Sequence, residues 1–133
     1  LVITLSGDLG TGKTTWVRGV LHGIGVTGAI KSPTYSLVEV YSVSRLYLYH
    51  FDLYRFNDAE EWATAGFREY FRADSIILIE WPEKAAGVLP LPDLAVSIDY
   101  VDVGRKITIT AKTPKGEACL VNWIKQNEEQ THS

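Results

Sequence analysis

Residues 7–14 constrain the fold of this chain more than any other part of it. Their sequence, Gly-Asp-Leu-Gly-Thr-Gly-Lys-Thr, fits the pattern Gly-x-x-x-x-Gly-Lys-[Ser/Thr] at every fixed position. An apolar run, residues 1–5, precedes them, and apolar residues at helical spacing follow. Such a loop binds phosphate where a strand ends and a helix begins, because the first N–H groups of the helix are then free to point at the anion. The pattern predicts a strand–loop–helix unit that binds a nucleoside triphosphate.

The same loop predicts a metal site. In loops of this kind the lysine, here Lys13, reaches the β- and γ-phosphates, and the hydroxyl of Thr14 holds Mg²⁺. The metal also needs a carboxylate, usually at the end of a neighbouring apolar strand. Four aliphatic residues, 76–79, lead directly to Glu80. The alternative is that Glu80 merely ends a strand at the surface, and the need of the phosphate loop for an acid favours the metal ligand.

Hydrophobic periodicity predicts alternating strands and helices. The predicted strands are residues 1–6, 35–41, 45–51, 75–79, 94–100 and 106–111. The predicted helices are residues 13–24, a segment from Asn57 or Asp58 to Gly66, residues 67–71 and residues 116–126. Short links make the second and third strands, and the last two, antiparallel pairs. We predict a three-layer α/β domain of the P-loop NTPase type with a mixed, partly parallel sheet.

Length and composition indicate a single folded domain. The chain has 133 residues, of which 46% are apolar and 22% charged, as in ordinary globular proteins. We assign residues 1–126 to one P-loop domain, expect a flexible tail at residues 127–133, and expect that an N-terminal segment is missing. The net charge of −3 argues against a broad nucleic-acid-binding face. Cys119 has no second cysteine for an internal disulfide and is expected to pack as a small hydrophobe.

Several polar residues have both functional and structural interpretations. Asp52 could hold a metal-bound water or take a proton from the attacking water, or it could be a turn residue or the partner of Arg55. Thr34 could sense the γ-phosphate, or it could be a loop hydroxyl beside proline. His50 and His22 are isolated histidines, for which packing or surface roles are favoured over zinc binding.

The nucleotide base can be partly inferred. Neither the guanine-reading pattern Asn-Lys-x-Asp nor an Asp-x-x-Gly switch occurs in the chain. A regulatory GTPase is therefore disfavoured and ATP is the better candidate. Trp81 follows the predicted metal ligand directly, so a role in the site is possible.

Four ordered motifs together resemble one family. They are residues 7–14, Lys-Ser-Pro-Thr-Tyr at 31–35, His-Phe-Asp-Leu-Tyr-Arg at 50–55, and Ile-Glu-Trp at 79–81. This combination, spread over residues 1 to about 113, resembles the bacterial TsaE (YjeE-type) ATPases. The resemblance implies a cytoplasmic protein that hydrolyses ATP with Mg²⁺, only weakly when alone. It also implies action with TsaD and TsaB in making N6-threonylcarbamoyladenosine at position 37 of tRNA, with tRNA contacted only through the complex and no membrane involved.

The resemblance also implies site residues. The phosphate cradle corresponds to Gly7, Asp8, Leu9, Gly10, Thr11, Gly12, Lys13, Thr14 and Thr15. Thr14 and Glu80 correspond to the Mg²⁺ ligands, and Asp52 corresponds to an acid needed for hydrolysis. The remaining correspondences are Thr34 in a switch-like loop, Trp81 beside the metal, and Arg105 near the nucleotide. Lys13, Asp52 and Glu80 are thus the expected catalytic residues.

Two other functions fit the phosphate loop by itself. A P-loop small-molecule kinase would also need an acceptor pocket and an arginine-bearing lid, for which about 53 residues remain after Glu80. A non-catalytic nucleotide-sensing module would bind ATP without turnover. Phosphate transfer to a metabolite would identify the first, and binding without hydrolysis would identify the second.

Overall fold

The computed structural model describes residues 1–8, 10–26, 38–43, 46–56, 67–71 and 75–132. Its strands are β1 (Val2–Ser6), β2 (Val38–Val43), β3 (Leu46–Asp52), β4 (Ser75–Glu80), β5 (Leu94–Val101) and β6 (Gly104–Ala111). Its helices are α1 (Lys13–Ile24) and α2 (Pro114–His132), with short 3-10 helices at Phe67–Tyr70 and Pro82–Ala85. The helix predicted after Asn57 or Asp58 lies outside the described residues, as do Leu9 and Thr34.

The six strands form one mixed sheet in the order β2-β3-β4-β1-β5-β6. The pairs β3–β4, β4–β1 and β1–β5 are parallel, whereas β2–β3 and β5–β6 are antiparallel hairpin pairs. The four parallel strands therefore end at the same edge of the sheet. Ligands bind at that edge in open α/β sheets.

Both faces of the sheet carry an apolar core. On one face the strands pack against α1, and the buried residues there include Leu5, Val17, Leu21, Leu48 and Leu78. On the other face they pack under the segments that follow β3 and β4, and the buried residues include Tyr49, Phe51, Phe56, Ile77 and Ile79. Cores on both faces explain why β4 reads as a continuous aliphatic run. The predicted three-layer α/β fold with a mixed, partly parallel sheet is confirmed.

Some predicted boundaries need correction. Helix α2 begins at Pro114, before its predicted start, and continues to His132, past its predicted end at Gln126. Without apolar positions there, periodicity could not reveal the extension. Cys119 lies half-buried on α2 against the core, as expected. Among the described residues, no helix has the length and apolar character needed to cross a membrane.

Asp93 ties the start of β5 to β1 and α2. Its carboxylate accepts hydrogen bonds from the Val2 N–H at 2.8 Å and from the Thr113 hydroxyl at 2.6 Å. Helix α2 comes so close that a Cβ on Gly116 would lie 1.9 Å from the Asp93 carbonyl oxygen. Burial raises the pKa of Asp93, but the bonds from Thr113 and Val2 outweigh it and hold that pKa below its usual value.

We expect the substitution Asp93→Asn to lower the free energy of unfolding at pH 7 by about 1–2 kcal/mol, because a charge-assisted acceptor is lost. Since the pKa of Asp93 is lowered in the folded state, its contribution is present above the unfolded value of about 3.9 and is lost as the pH falls further. Urea denaturation should show the gap between parent and variant narrowing below about pH 4. The exposed Asp102→Asn is the control, and an equal loss in both variants would contradict the assignment.

Candidate active site

The loop between β1 and α1 has the backbone that a phosphate cradle needs. Gly7, Gly10 and Gly12 adopt positive φ values of 153°, 80° and 105°. At Gly7 a Cβ would lie 2.5 Å from the Ile98 carbonyl oxygen and 2.8 Å from Thr11 Oγ1, so only glycine fits there. Helix α1 starts after Gly12 with no side-chain cap, which leaves its first N–H groups available to an anion.

Lys13 is folded back onto its own loop. Its side chain is nearly buried, and Nζ donates to the Gly7 carbonyl and, at 3.2 Å, to the Asp8 carbonyl. The same ammonium lies 3.7 Å from the centre of the Trp81 ring. Burial lowers the pKa of Lys13, and the nearby carboxylate of Glu80 opposes this shift. The Lys13 ammonium therefore makes its contacts within the protein, at the entrance to the phosphate-binding loop.

Strand alternation places the acidic residues beside α1. Leu78 lies in the core under α1, so Glu80, two residues later, lies on the same face of β4. Asp52 is the register partner of Glu80 on the parallel strand β3. The Thr14 hydroxyl lies 3.2 Å from Glu80 Oε1 and 3.4 Å from Oε2, and Glu80 is 2% exposed. The two predicted metal ligands thus meet.

His50 is a site residue that the sequence analysis missed. It is fully buried on β3, and its Nε2 lies 2.5 Å from Glu80 Oε2. Packing was the favoured interpretation, and burial agrees with it, but the ring also contacts the predicted metal ligand. Strand periodicity could have indicated this location. His50 and Asp52 are two residues apart on β3, so their side chains lie on the same face of the sheet, the face that α1 covers.

Asp52 lies at the carboxyl end of β3 and is partly buried. Its Oδ1 accepts the Tyr54 N–H at 3.0 Å, which makes it a turn residue as well as a cleft residue. Burial raises the pKa of Asp52; the neighbouring charge of Glu80 adds to the rise, and the bond from Tyr54 opposes it. A carboxylate with a raised pKa is a better proton acceptor than an ordinary surface aspartate.

Aromatic and basic side chains border the loop. Trp81 has φ 59° and ψ 51°, a left-handed conformation that turns the chain out of β4. Its ring packs against Tyr54 with 5.0 Å between centroids. On the other side, Arg105 of β6 donates to the Gly10 carbonyl at 3.2 Å, and its guanidinium lies 5.4 Å from the centre of the Tyr100 ring. Arg105 is therefore at the loop despite its distance in sequence.

These residues enclose a cleft of about 330 Å³ at the carboxyl edge of the parallel strands. It is lined by Gly10, Gly12, Lys13, Thr14, Thr15, Asp52, Tyr54, Glu80 and Trp81. All but Tyr54 were predicted from sequence. Gly7, Asp8, Thr11 and Arg105 lie in or against the loop. Leu9 and Thr34 remain predictions because they lie outside the described residues.

The donors beside the loop fit Mg²⁺. A hydroxyl and a carboxylate are hard oxygen ligands, and two adjacent ligands of an octahedral Mg²⁺ stand about 3 Å apart at its usual bond length. Thr14 Oγ1 and Glu80 Oε1 are 3.2 Å apart. No cluster of three or more His, Cys, Asp or Glu side chains within the described ranges could hold a metal. Mg²⁺ sites in proteins usually contain one or two carboxylates, and phosphate and water complete the shell.

Comparison with known proteins gives consistent likenesses. The family described as "Threonylcarbamoyl adenosine biosynthesis protein TsaE" matches residues 1–108. A curated relative from Haemophilus influenzae, named tRNA threonylcarbamoyladenosine biosynthesis protein TsaE, is 53% identical over 117 residues, covering 88% of this chain and 74% of the relative. One of the same name from Bacillus subtilis is 40% identical over 111 residues, covering 83% and 69%. The crystal structure of Bacillus subtilis YdiB superposes with a TM-score of 0.78 and 32% identity, covering 95% of this chain and 78% of YdiB.

We expect Asp52→Asn to stabilise the ligand-free protein at neutral pH. Because the pKa of Asp52 is raised in the folded state, its charge costs folding free energy above that pKa, and the cost disappears below the unfolded value of about 3.9. Solvent screening limits the gain to at most about 1 kcal/mol. Urea denaturation at pH 7 and at about pH 3.5, below the unfolded value, should show the gain shrinking at the lower pH. Asp102→Asn is the control, and a destabilised Asp52→Asn would contradict the prediction.

Proposed function

This chain belongs to the TsaE family, and from that premise we propose that it is a cytoplasmic Mg²⁺-dependent ATPase that acts in N6-threonylcarbamoyladenosine biosynthesis on tRNA. Membership in the family supports the pathway. The observation that carries the ATPase assignment is the contact between Thr14 and Glu80 beside an open glycine loop. It joins a phosphate cradle to the oxygen ligands that a nucleotide-bound Mg²⁺ requires.

In this proposal the loop and Lys13 bind the triphosphate. The N–H groups at the start of α1 receive the phosphate oxygens, and Lys13 exchanges the Gly7 and Asp8 carbonyls for the β- and γ-phosphates. These groups stabilise charge that grows on the phosphates during hydrolysis. The resting contacts of Lys13 must be broken first, which is consistent with weak turnover by the protein alone.

Thr14 and Glu80 would hold the metal, and Asp52 would act on water. A Mg²⁺ ion held by these residues would supply positive charge against the growing charge of the triphosphate. The buried Glu80 presents its carboxylate towards Thr14 on a rigid strand end. Asp52, with its raised pKa and its place on the neighbouring strand, orients the attacking water or accepts its proton.

We further propose that TsaD-type and TsaB-type proteins are the partners, and that tRNA is contacted through them. Family membership supports this assignment, because the relatives are named for the same tRNA modification. The net charge of −3 agrees with an indirect role towards tRNA. Hydrolysis would then change the state of a partner instead of transferring the threonylcarbamoyl group.

Lys13→Ala and Glu80→Ala should each reduce ATP hydrolysis by about 100-fold or more, because each removes charge stabilisation or metal binding at the phosphates. Both should also abolish multi-turnover tRNA modification in the reconstituted system. Exposed residues of the same types supply the controls, Lys112→Ala and Glu117→Ala, which should behave as the parent. Unchanged modification with either site variant, in folded protein, would refute the proposal.

Addition of the TsaB–TsaD pair should raise the rate of ATP hydrolysis, since the family implies weak activity alone. The measurement is phosphate release with and without the pair, with Lys13→Ala as the blank. Phosphate recovered on a metabolite would instead identify a small-molecule kinase. Tight ATP binding with no hydrolysis under either condition would identify a nucleotide sensor.

A further inference from the structure

His50 makes a contact that packing alone does not require. Its ring is completely buried, yet Nε2 lies 2.5 Å from Glu80 Oε2. A carboxylate can only accept, so the ring nitrogen that faces it carries the hydrogen. Both the Nε2–H tautomer and the doubly protonated ring supply that hydrogen. The contact is therefore a hydrogen bond from His50 to Glu80 in either state.

The environment of the other ring nitrogen, Nδ1, indicates that His50 is placed for its bond to Glu80 and not for apolar packing. Nδ1 of His50 is buried and has no hydrogen-bond partner within the described part of the chain. A buried polar atom without a partner is unfavourable, and an apolar side chain at this position would avoid that cost. The neighbours on this face, Leu48 and Leu78, are fully buried leucines, so leucine suits the environment.

We propose that His50 is a positioning residue that fixes the carboxylate of Glu80 for Mg²⁺; this inference rests on the proposed ATPase function. The terminal torsion of a glutamate has broad preferences, so the strand alone does not set the rotation of the carboxylate. His50 holds Oε2, and the Thr14 hydroxyl lies 3.2 Å from Oε1 and 3.4 Å from Oε2. The bond from His50 thus fixes the rotation of the carboxylate that faces Thr14.

The contact between His50 and Glu80 joins two paired interior strands of the sheet. His50 and Glu80 belong to β3 and β4, which pair in parallel with His50 beside Leu78 and Asp52 beside Glu80. The histidine thus reaches the glutamate diagonally across one strand pair, on the face under α1. Ligands supported by a second layer of hydrogen bonds on regular strands are held more precisely than ligands on loops.

The test compares His50→Leu with His50→Gln, whose side-chain amide keeps an N–H close to the position of Nε2. Binding of ATP carrying a fluorescent methylanthraniloyl group is measured in EDTA and across a Mg²⁺ titration. Without metal, all three proteins should bind within about 3-fold of one another. The Mg²⁺ concentration at half-effect should rise roughly 10-fold or more for His50→Leu, while His50→Gln should stay near the parent.

A double-mutant cycle separates positioning from general damage. If His50 acts through Glu80, then His50→Leu should have no further effect on the Mg²⁺ requirement in a Glu80→Gln background. Leu78→Ala is the control substitution in the core: it should lower the midpoint temperature of unfolding and leave the Mg²⁺ requirement unchanged. If His50→Leu does not fold by circular dichroism, His50→Asn, whose shorter amide falls short of Oε2, replaces it.

The outcomes distinguish the two proposals. A parent protein that binds no nucleotide, or whose nucleotide binding ignores Mg²⁺, contradicts the proposed function and this inference with it. A parent that binds Mg²⁺ and ATP as proposed, together with a donor-lacking variant of unchanged Mg²⁺ requirement, overturns the role of His50 alone. An equal effect of His50→Leu in the parent and in the Glu80→Gln background also overturns it.

Discussion

The parallel pairing of β1 with β4 is the constraint on which the site depends. β1 runs directly into the glycine loop, and β4 ends at Glu80, which is in register with Leu5. The ladder continues one residue further, because the Trp81 N–H donates to the Leu5 carbonyl at 3.3 Å. Backbone hydrogen bonds between two buried strands therefore set the separation of the phosphate loop from the acid. No flexible connection intervenes at that point.

Two ionisable groups of the cleft are less favourable in their charged form in the folded protein than in water. The carboxylates of Asp52 and Glu80 lie on neighbouring strand ends, and burial raises the pKa of Asp52 while it lowers that of Lys13. Each shift means that the folded protein disfavours the charged form of that group. The charged forms of Asp52 and Lys13 thus lower the stability of the folded protein locally, at the residues to which the proposed function assigns charge.

Most of the residues that line the cleft could be named from the sequence because the two central motifs are local. The glycine pattern at residues 7–14 and the aliphatic run before Glu80 each need only neighbouring residues, and the strand rule then brings them together. The contact of His50 with Glu80 depends on the register between β3 and β4, which are separated by a long connection. Alternation places His50 on the same face of β3 as Asp52, but it does not encode the register with β4, so the contact with Glu80 could not be predicted from sequence.

The periodicity of apolar residues could not predict several other features, for similar reasons. The hydrogen bond from Arg105 to the Gly10 carbonyl depends on the position of β6 at the edge of the sheet. No sequence motif near Arg105 predicts this contact. The resting position of Lys13 under Trp81 depends on a left-handed residue just after β4. The end of α2 at His132 lies in polar sequence, where helical spacing of apolar residues is absent.

The left-handed backbone of Trp81 restricts which residues suit that position. A left-handed conformation costs an L-residue with a side chain roughly 1–2 kcal/mol, and glycine would remove that cost. Glycine would also remove the ring that covers Lys13 and packs on Tyr54. A β-branched residue would add strain and supply no aromatic face. Glycine would thus relieve the main chain at residue 81 and remove the aromatic contacts of the cleft, and a β-branched residue would serve neither.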